Sequence, residues 1–298
     1  MQIFLTGASG FIGSAVLTEL LNAGHQVTAL VRSTEQAKKL ESLGARPHMG
    51  DLDDHESMRK GAENADGVIH TAFNHDFSRY QQSCENDRLI IRAFGEALAG
   101  SSRPVLVTSG IGLLPSGRLV NEADKVIAGK NPRTASEEAV SEVASKGVHA
   151  SLVRLPPTVH GDGDHGFVPM LIDFARKKGS SVYIEEGQNF WPAVHRFDAA
   201  KLYRLAVEKA AAPGTVYHGV AEQGIAFKEI AEAIGHGLSL PVVSKSKEEA
   251  AEHFGFFAHF AAMDIIASAD ITKQALGWTP DQIGILEDLE KGTYFQSR

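Results

Sequence analysis

The chain has 298 residues, 43% of them hydrophobic, and a formal net charge of -8 at pH 7. That is enough apolar material for one large core or two moderate ones. The dispersed basic residues lack the concentrated positive footprint that a phosphate backbone requires, so no nucleic-acid partner is expected. The single cysteine, Cys84, excludes an internal disulfide framework and a cysteine-rich metal site. No basic-then-apolar leader opens the sequence and no uncharged apolar run reaches about 18 residues. The expectation is a cytoplasmic protein with no membrane segment.

Ile3, Phe4 and Leu5 lead into Thr6-Gly7-Ala8-Ser9-Gly10-Phe11-Ile12-Gly13, and Ala15, Val16, Leu17, Leu20 and Leu21 follow at helical spacing. This pattern predicts a strand, a tight glycine turn and a helix. The glycines let the chain turn sharply, let a pyrophosphate approach main-chain N–H groups, and let the helix lie close to its strand. A dinucleotide held by Gly7, Ser9, Gly10, Phe11, Ile12 and Gly13 is the expected ligand.

A second strand is expected over Gln26–Val31. In a dinucleotide fold an acidic residue at its end would receive the adenosine ribose hydroxyls, whereas a cation would pair with a 2′-phosphate. The sequence there is Val31-Arg32-Ser33-Thr34. Arg32 therefore points to NADP(H), with NAD(H) as second choice. After a helix over 35–43 and a strand over 45–49 comes Gly50-Asp51-Leu52-Asp53. Asp51, with Leu52 beside it, is placed to accept from the adenine amino group, and Asp53 or Asp54 to cap the helix over 55–62.

The strand over 67–71 runs into Ala72 and Phe73, which are expected to pass the middle of the cofactor, and then into Asn74 and His75, which face the substrate. Tyr80 lies in the variable region beyond. A helix over 87–98 and a strand over 104–107 follow, ending in Thr108-Ser109-Gly110. Those hydroxyls are candidate donors to a carbonyl near the nicotinamide, although serine and threonine also end strands for local reasons. Residues 113–130 read as a surface loop, and the helix from Pro132 to Ser145 carries Thr134 and Glu137 at capping-box spacing. The strand over 149–155 stops at Pro156-Pro157, Pro156 being a further cofactor contact.

A polar, glycine-rich loop then brings His160 and His165, and the substrate-binding part begins. Phe190-Trp191-Pro192-Ala193-Val194-His195-Arg196 places large aromatics beside an imidazole and a guanidinium. Trp191 and Arg196 join His160 and His165 as candidate substrate contacts. Asp198 is expected to cap a helix running to Lys209. Residues 215–219 read as a further strand of the main sheet, 247–260 as a helix, and Trp278 as the plug of a satellite core. His75, His160, His165 and His195 each have the chemistry of an acid at physiological pH. Their separations show no zinc-ligand pattern, so no metal site is expected.

Alternation of strands and helices specifies an α/β fold, a Rossmann-type doubly wound parallel sheet covered on both faces, with ligands beyond the strands' carboxyl ends. The expected division is a main dinucleotide-binding domain over 1–155 and a smaller C-terminal substrate-binding part over 156–298, with segments near 190–220 returning to the main sheet.

The chain resembles the extended short-chain dehydrogenase/reductase family, the group with NAD-dependent epimerases and dehydratases. The resemblance rests on the glycine motif from Thr6 to Gly13, on Gly50-Asp51-Leu52, on Val153-Arg154-Leu155-Pro156-Pro157-Thr158-Val159-His160-Gly161, and on Val194-His195-Arg196-Phe197-Asp198-Ala199-Ala200. It covers nearly the whole chain. Members usually carry a catalytic tyrosine and, four residues later, a lysine that lowers its pKa and holds the nicotinamide ribose. The matching positions here are Arg133 and Glu137, and none of the five tyrosines has a lysine four residues on. Arginine does not give up a proton near neutral pH.

The resemblance thus implies an atypical member without the usual pair. Thr108, Ser109, Arg133, His195 and Tyr80 are the candidates for its chemistry. The expected function is an NADP(H)-dependent oxidoreductase of a small or medium carbonyl or alcohol substrate with a non-standard proton donor. The alternatives are an inactive NADP(H)-binding sensor or regulator, and a nucleotide-sugar epimerase or dehydratase. The helix after Thr134 is polar, which leaves both monomer and homodimer open.

Overall fold

The structure, a computed structural model, describes residues 1–296. Its first half winds as β1 (Gln2–Thr6), α1 (Phe11–Asn22), β2 (Gln26–Val31), α2 (Thr34–Ser42), β3 (Arg46–Met49), α3 (His55–Glu63), β4 (Gly67–His70), α4 (Tyr80–Ala97), β5 (Val105–Gly110), β6 (Leu119–Val120), α5 (Ala135–Ser145) and β7 (Ala150–Leu155). The second half comprises β8 (Thr158–His160), α6 (Phe167–Lys178), β9 (Ser181–Ile184), β10 (Phe190–His195), α7 (Arg196–Lys209), β11 (Val216–His218), β12 (Glu222–Ala226) and α8 (Phe227–Leu238). It ends with β13 (Val242–Lys245), α9 (Lys247–Phe254), α10 (Ala258–Ala261), β14 (Ile266–Ala267), α11 (Asp270–Leu276) and α12 (Ile285–Lys291).

The main sheet has seven strands in the order β11-β7-β5-β4-β1-β2-β3, every neighbouring pair parallel. Strands covered on both faces need continuous apolar sequence, and β4 and β7 are buried along their whole length. Ile3 and Leu5 pack with Val16, Leu20, Leu202 and Ala206 of α1 and α7 on one face. Phe4 and Val68 pack with Met58, Phe94 and Val140 of α3, α4 and α5 on the other. The chain order reverses between β1 and β4, so the crevice beyond their carboxyl ends is where such a sheet binds ligands.

The C-terminal part adds a three-stranded sheet, β12-β10-β8, and a two-stranded one, β13-β9. Its separate core gathers Trp191, Phe227, Phe254 and Phe257. Of the 190–220 region, β11 joins the main sheet, while β10 belongs to the smaller one.

Several local expectations are corrected. The helix expected over 87–98 begins at Tyr80, after a single-turn 3-10 segment capped by Asp76. The helix expected over 247–260 breaks at Gly255, whose φ of +57° is not helical. Residues 113–130 include β6, which pairs with β14. His195, not Asp198, caps α7, and Asp198 instead accepts from the N–H groups of Asp281 and Gln282. Thr134 makes no capping box, because Glu137 is drawn into the interior. Trp278 packs in the main core, its indole N–H donating to the Asp198 carbonyl at 3.0 Å.

Candidate functional site

At the end of β1 the chain turns with Gly7 at φ +79°. A Cβ on Gly7 would lie 2.6 Å from Thr71 Oγ1 and 2.8 Å from the Ala72 nitrogen, and one on Gly13 would lie 2.0 Å from the Gly7 carbonyl. Backbone therefore rests on backbone, and no side chain fits at either position. Gly10 caps α1 without a side chain. The positive end of a twelve-residue helix is thereby presented to an anion. A pyrophosphate fits this cradle.

Beyond β2, Arg32 is exposed, and no carboxylate occupies residues 31–34. Asp51 is also exposed, its Oδ1 accepting from the Asp53 N–H at 3.0 Å, while Asp54 caps α3 through the Ser57 N–H. Leu52 is half-buried, and its carbonyl accepts from Asn86.

Where β4 and β5 end, a buried polar chain runs from Thr6 to Arg133. Thr6 Oγ1 lies 2.6 Å from His70 Nδ1, and His70 Nε2 lies 2.9 Å from Asp87 Oδ1. Asp87 Oδ2 meets Arg133 Nη1 at 3.0 Å and also the Ser136 hydroxyl. Burial alone raises the Asp87 pKa. The charge of Arg133 and hydrogen bonds from His70 and Ser136 outweigh it and hold the carboxyl at about 2. Arg133 also donates to the Thr108 carbonyl at 3.1 Å and stacks 4.1 Å from the centre of the Phe73 ring.

Glu137, at the position of the missing lysine, is 5% exposed. Both of its oxygens accept from Arg154, at 2.9 and 2.7 Å, and Ser109 Oγ donates to it at 2.7 Å. Ser109 is therefore turned into an ion pair, away from the expected substrate. Thr108 Oγ1 donates to the His70 carbonyl at 2.8 Å and lies 2.6 Å from the Tyr203 hydroxyl.

Tyr80 stands over this arrangement. Its ring meets the Phe73 ring edge-on at 6.3 Å, and its hydroxyl donates to Asn131 Oδ1 at 3.5 Å. Burial raises its pKa, Cys84 adds to the rise, and Arg133 opposes it. His75 packs against Phe73 at 5.2 Å and keeps an exposed edge; the protein around it, then the charge of Arg133, lower its pKa. Asn74 is exposed beside it and accepts from the Asp76 N–H.

From the C-terminal part, His165 approaches the Phe11 ring edge-on at 5.8 Å, and Arg196 lies over the same ring at 4.5 Å. Trp191 is not in the cleft. It is fully buried against Phe167 and Phe227, which overturns its expected role as a substrate contact. His160 is also fully buried, its Nδ1 2.8 Å from Asp288 Oδ2, so it too is removed from an open substrate surface. His195 lies beside it, and donor atoms of His160, His195 and Asp288 fall within 4.8 Å of one another. Burial, then the neighbouring His160, lower the His195 pKa to about 4. Pro156 is buried just past β7.

Sequence reasoning missed Asp87, Arg154, Tyr203 and Asp288. Asp288 lies 128 residues from His160, and no local pattern marks such a pair.

A seven-stranded parallel sheet with a glycine cradle at its point of reversal defines a dinucleotide-binding Rossmann protein. The chain belongs to the NAD(P)H-binding family whose model matches residues 7–167. It is 52% identical to an uncharacterized protein of Schizosaccharomyces pombe over 99% of this chain and 100% of that one. It is 28% identical to the 4-hydroxy-2-methyl-3-oxo-4-farnesyl-3,4-dihydroquinoline-1-oxide ketoreductase of Stigmatella aurantiaca, covering 73% of this chain and 67% of the other. Its fold matches a nucleoside-diphosphate-sugar epimerase from Pseudomonas aeruginosa with a TM-score of 0.78 at 15% identity, over 99% and 97% of the two chains. No helix among the described residues is long and apolar enough to cross a membrane.

Proposed function

We propose that the chain is an NADP(H)-dependent oxidoreductase of a small or medium carbonyl or alcohol substrate, with Tyr80 as its proton donor. The observation that carries this is the grouping of Tyr80, Phe73 and Arg133 beyond β4 and β5, with Arg133 bonded to the Thr108 carbonyl. The similarity to a ketoreductase supports the same reaction class. The cofactor supplies hydride when bound, and the protein must position the carbonyl and deliver a proton to the developing alkoxide. Ser109 is held by Glu137, His195 is buried beside His160, and Thr108 is bonded to Tyr203. The Tyr80 hydroxyl donates to Asn131 Oδ1 at 3.5 Å, and the charge of Arg133 favours the tyrosinate left after proton transfer. The raised pKa makes Tyr80 a weak acid, yet an alkoxide is a far stronger base than a phenolate.

Arg32, with no carboxylate beside it at the end of β2, supports NADP(H) over NAD(H). A single cysteine and the absence of a spanning helix among the described residues suit a cytoplasmic setting. On α5, Glu138 and Glu142 pair with Arg88 and Arg92 of α4. That supports a monomer, or a homodimer formed elsewhere.

A cofactor-binding sensor is the second reading, favoured by the two ion pairs that occupy the usual catalytic positions. Epimerase or dehydratase chemistry has the least support for the same reason. The test is titration with NADPH and NADH, followed by a panel of quinones, aldehydes, ketones and sugar nucleotides monitored by NADPH oxidation. NADPH is expected to bind several-fold tighter, with the preference erased in Arg32→Asp. Equal affinities in the starting protein overturn the NADP(H) assignment, and silence across the panel moves the protein to the sensor class.

A further inference from the structure

Arg196 is the first residue of α7, and its side chain crosses to the glycine turn. Nη2 donates to Ser14 Oγ at 2.8 Å and Nη1 to the Asp162 carbonyl at 2.7 Å. The guanidinium lies over Phe11, the first residue of α1, and 5.3 Å from the centre of the Phe197 ring. The loop after β8 is shaped around it. A Cβ on Gly161, at φ +128°, would lie 3.1 and 3.2 Å from Arg196 Cγ and Cδ.

The hydrogen-bond partners of this arginine are neutral, as are those of Arg103. Arg88, Arg92, Arg133, Arg154 and Arg204 each meet a carboxylate within 3.0 Å. Arg196 meets a carbonyl and a hydroxyl, and no carboxylate pairs with it among the described residues. Its Nε is buried without a hydrogen-bond partner. The glycine turn from Gly7 to Ser14 contains no basic residue. A partly desolvated cation whose hydrogen-bond partners are neutral, with the carboxylates of Asp162 and Asp164 acting on it only through space, lies beside a helix N-terminus that lacks positive side chains and is matched to an anion at that helix end.

We propose that Arg196 is a positioning residue for the cofactor's diphosphate, a cation that the C-terminal part closes over the glycine turn. This rests on the assignment of that turn to NAD(P)H. It replaces the expectation that Arg196 contacts the substrate. It also gives α7 a role in cofactor retention, since the same side chain joins Ser14 to the loop after β8.

The test compares the wild type with Arg196→Met, which keeps the stem stacked on Phe11 and removes the charge, and with Arg196→Gln as the second variant in case the first does not fold. Three probes are titrated by calorimetry: NADPH, ADP and adenosine 2′-monophosphate, the last lacking a diphosphate. Loss of the charged contact is expected to weaken NADPH and ADP by about tenfold or more. Adenosine 2′-monophosphate is expected to stay within about twofold, a selectivity that a merely structural role does not produce. Unchanged NADPH and ADP affinities, or equal weakening of all three probes, overturn the proposal while leaving the cofactor assignment standing. A wild type that binds neither NADPH nor ADP overturns both.

Discussion

Arg154 and Glu137 form a two-point ion pair in the interior, with N–O distances of 2.9 and 2.7 Å and side chains 2% and 5% exposed. Arg154 comes from β7 and Glu137 from α5, so the pair locks a helix onto the main sheet at the position the family resemblance aligns with a lysine. Its other consequence is chemical. The position cannot be returned to lysine without setting two cations face to face in a dry site.

Glu137→Lys is therefore expected to destabilise the fold by about 3–5 kcal/mol, the cost of leaving a buried charge without its partner. Chemical denaturation reads this directly. Glu137→Gln, which keeps hydrogen bonding to Arg154 and Ser109, is expected to be milder. Equal stability of the lysine variant and the wild type would show that the interior tolerates the unpaired arginine.

Gly13→Ala places a methyl 2.0 Å from the Gly7 carbonyl. The turn must open to accept it, and the cradle is lost with it. NADPH affinity is expected to fall by about a hundredfold, roughly 3 kcal/mol, measured by quenching or calorimetry. Retention of full affinity would mean that the cofactor is held elsewhere.

Tyr80→Phe keeps the edge-on contact with Phe73 and deletes the hydroxyl. If Tyr80 delivers the proton, turnover falls by about 10²–10⁴ while NADPH affinity is unchanged. A small change in turnover on an active substrate assigns the proton to another group, His75, whose ring lies 5.2 Å from that of Phe73, being the next candidate.

His195 supplies a pH prediction. Its folded pKa of about 4 lies below the ordinary 6.5. Between those values the unfolded chain binds a proton that the native state refuses, so acid favours unfolding. The contribution is complete above pH 6.5, declines as pH falls, and is gone below about 4. His160, Asp288, Arg196 and Asp162 are the charged or titratable groups acting on the ring. Thermal melts from pH 7 to pH 4 are expected to show a shallower loss for His195→Asn, which also retains a helix-capping side chain. Parallel curves for the two proteins would remove His195 as the source.

The sheet and the glycine turn were legible in the sequence because their determinants are local. Mostly apolar runs at Ile3–Leu5, Val27–Val31 and Ala150–Leu155 specify buried strands, Gly7 is required by its φ of +79°, and Gly13 by the Gly7 carbonyl six residues before it, although Thr71 and Ala72 of the neighbouring strand end also press on Gly7. Trp191 misled for the opposite reason. Nearness to His195 and Arg196 along the chain does not decide what an aromatic packs against, because its neighbours come from elements distant in sequence. Trp191 packs in the small core with Phe167, Phe227 and Phe257.

The sequence by itself determined that a dinucleotide turn is present and that the tyrosine–lysine pair is absent, since both are statements about residue types at short spacing. Only the tertiary structure decided what stands in the pair's place. Asp87 reaches Arg133 across 46 residues, Arg154 reaches Glu137 across 17, and Arg196 reaches Ser14 across 182. Such pairings depend on which strands lie side by side and which helices cover them. A buried charge has no local signature until the fold brings its partner to it.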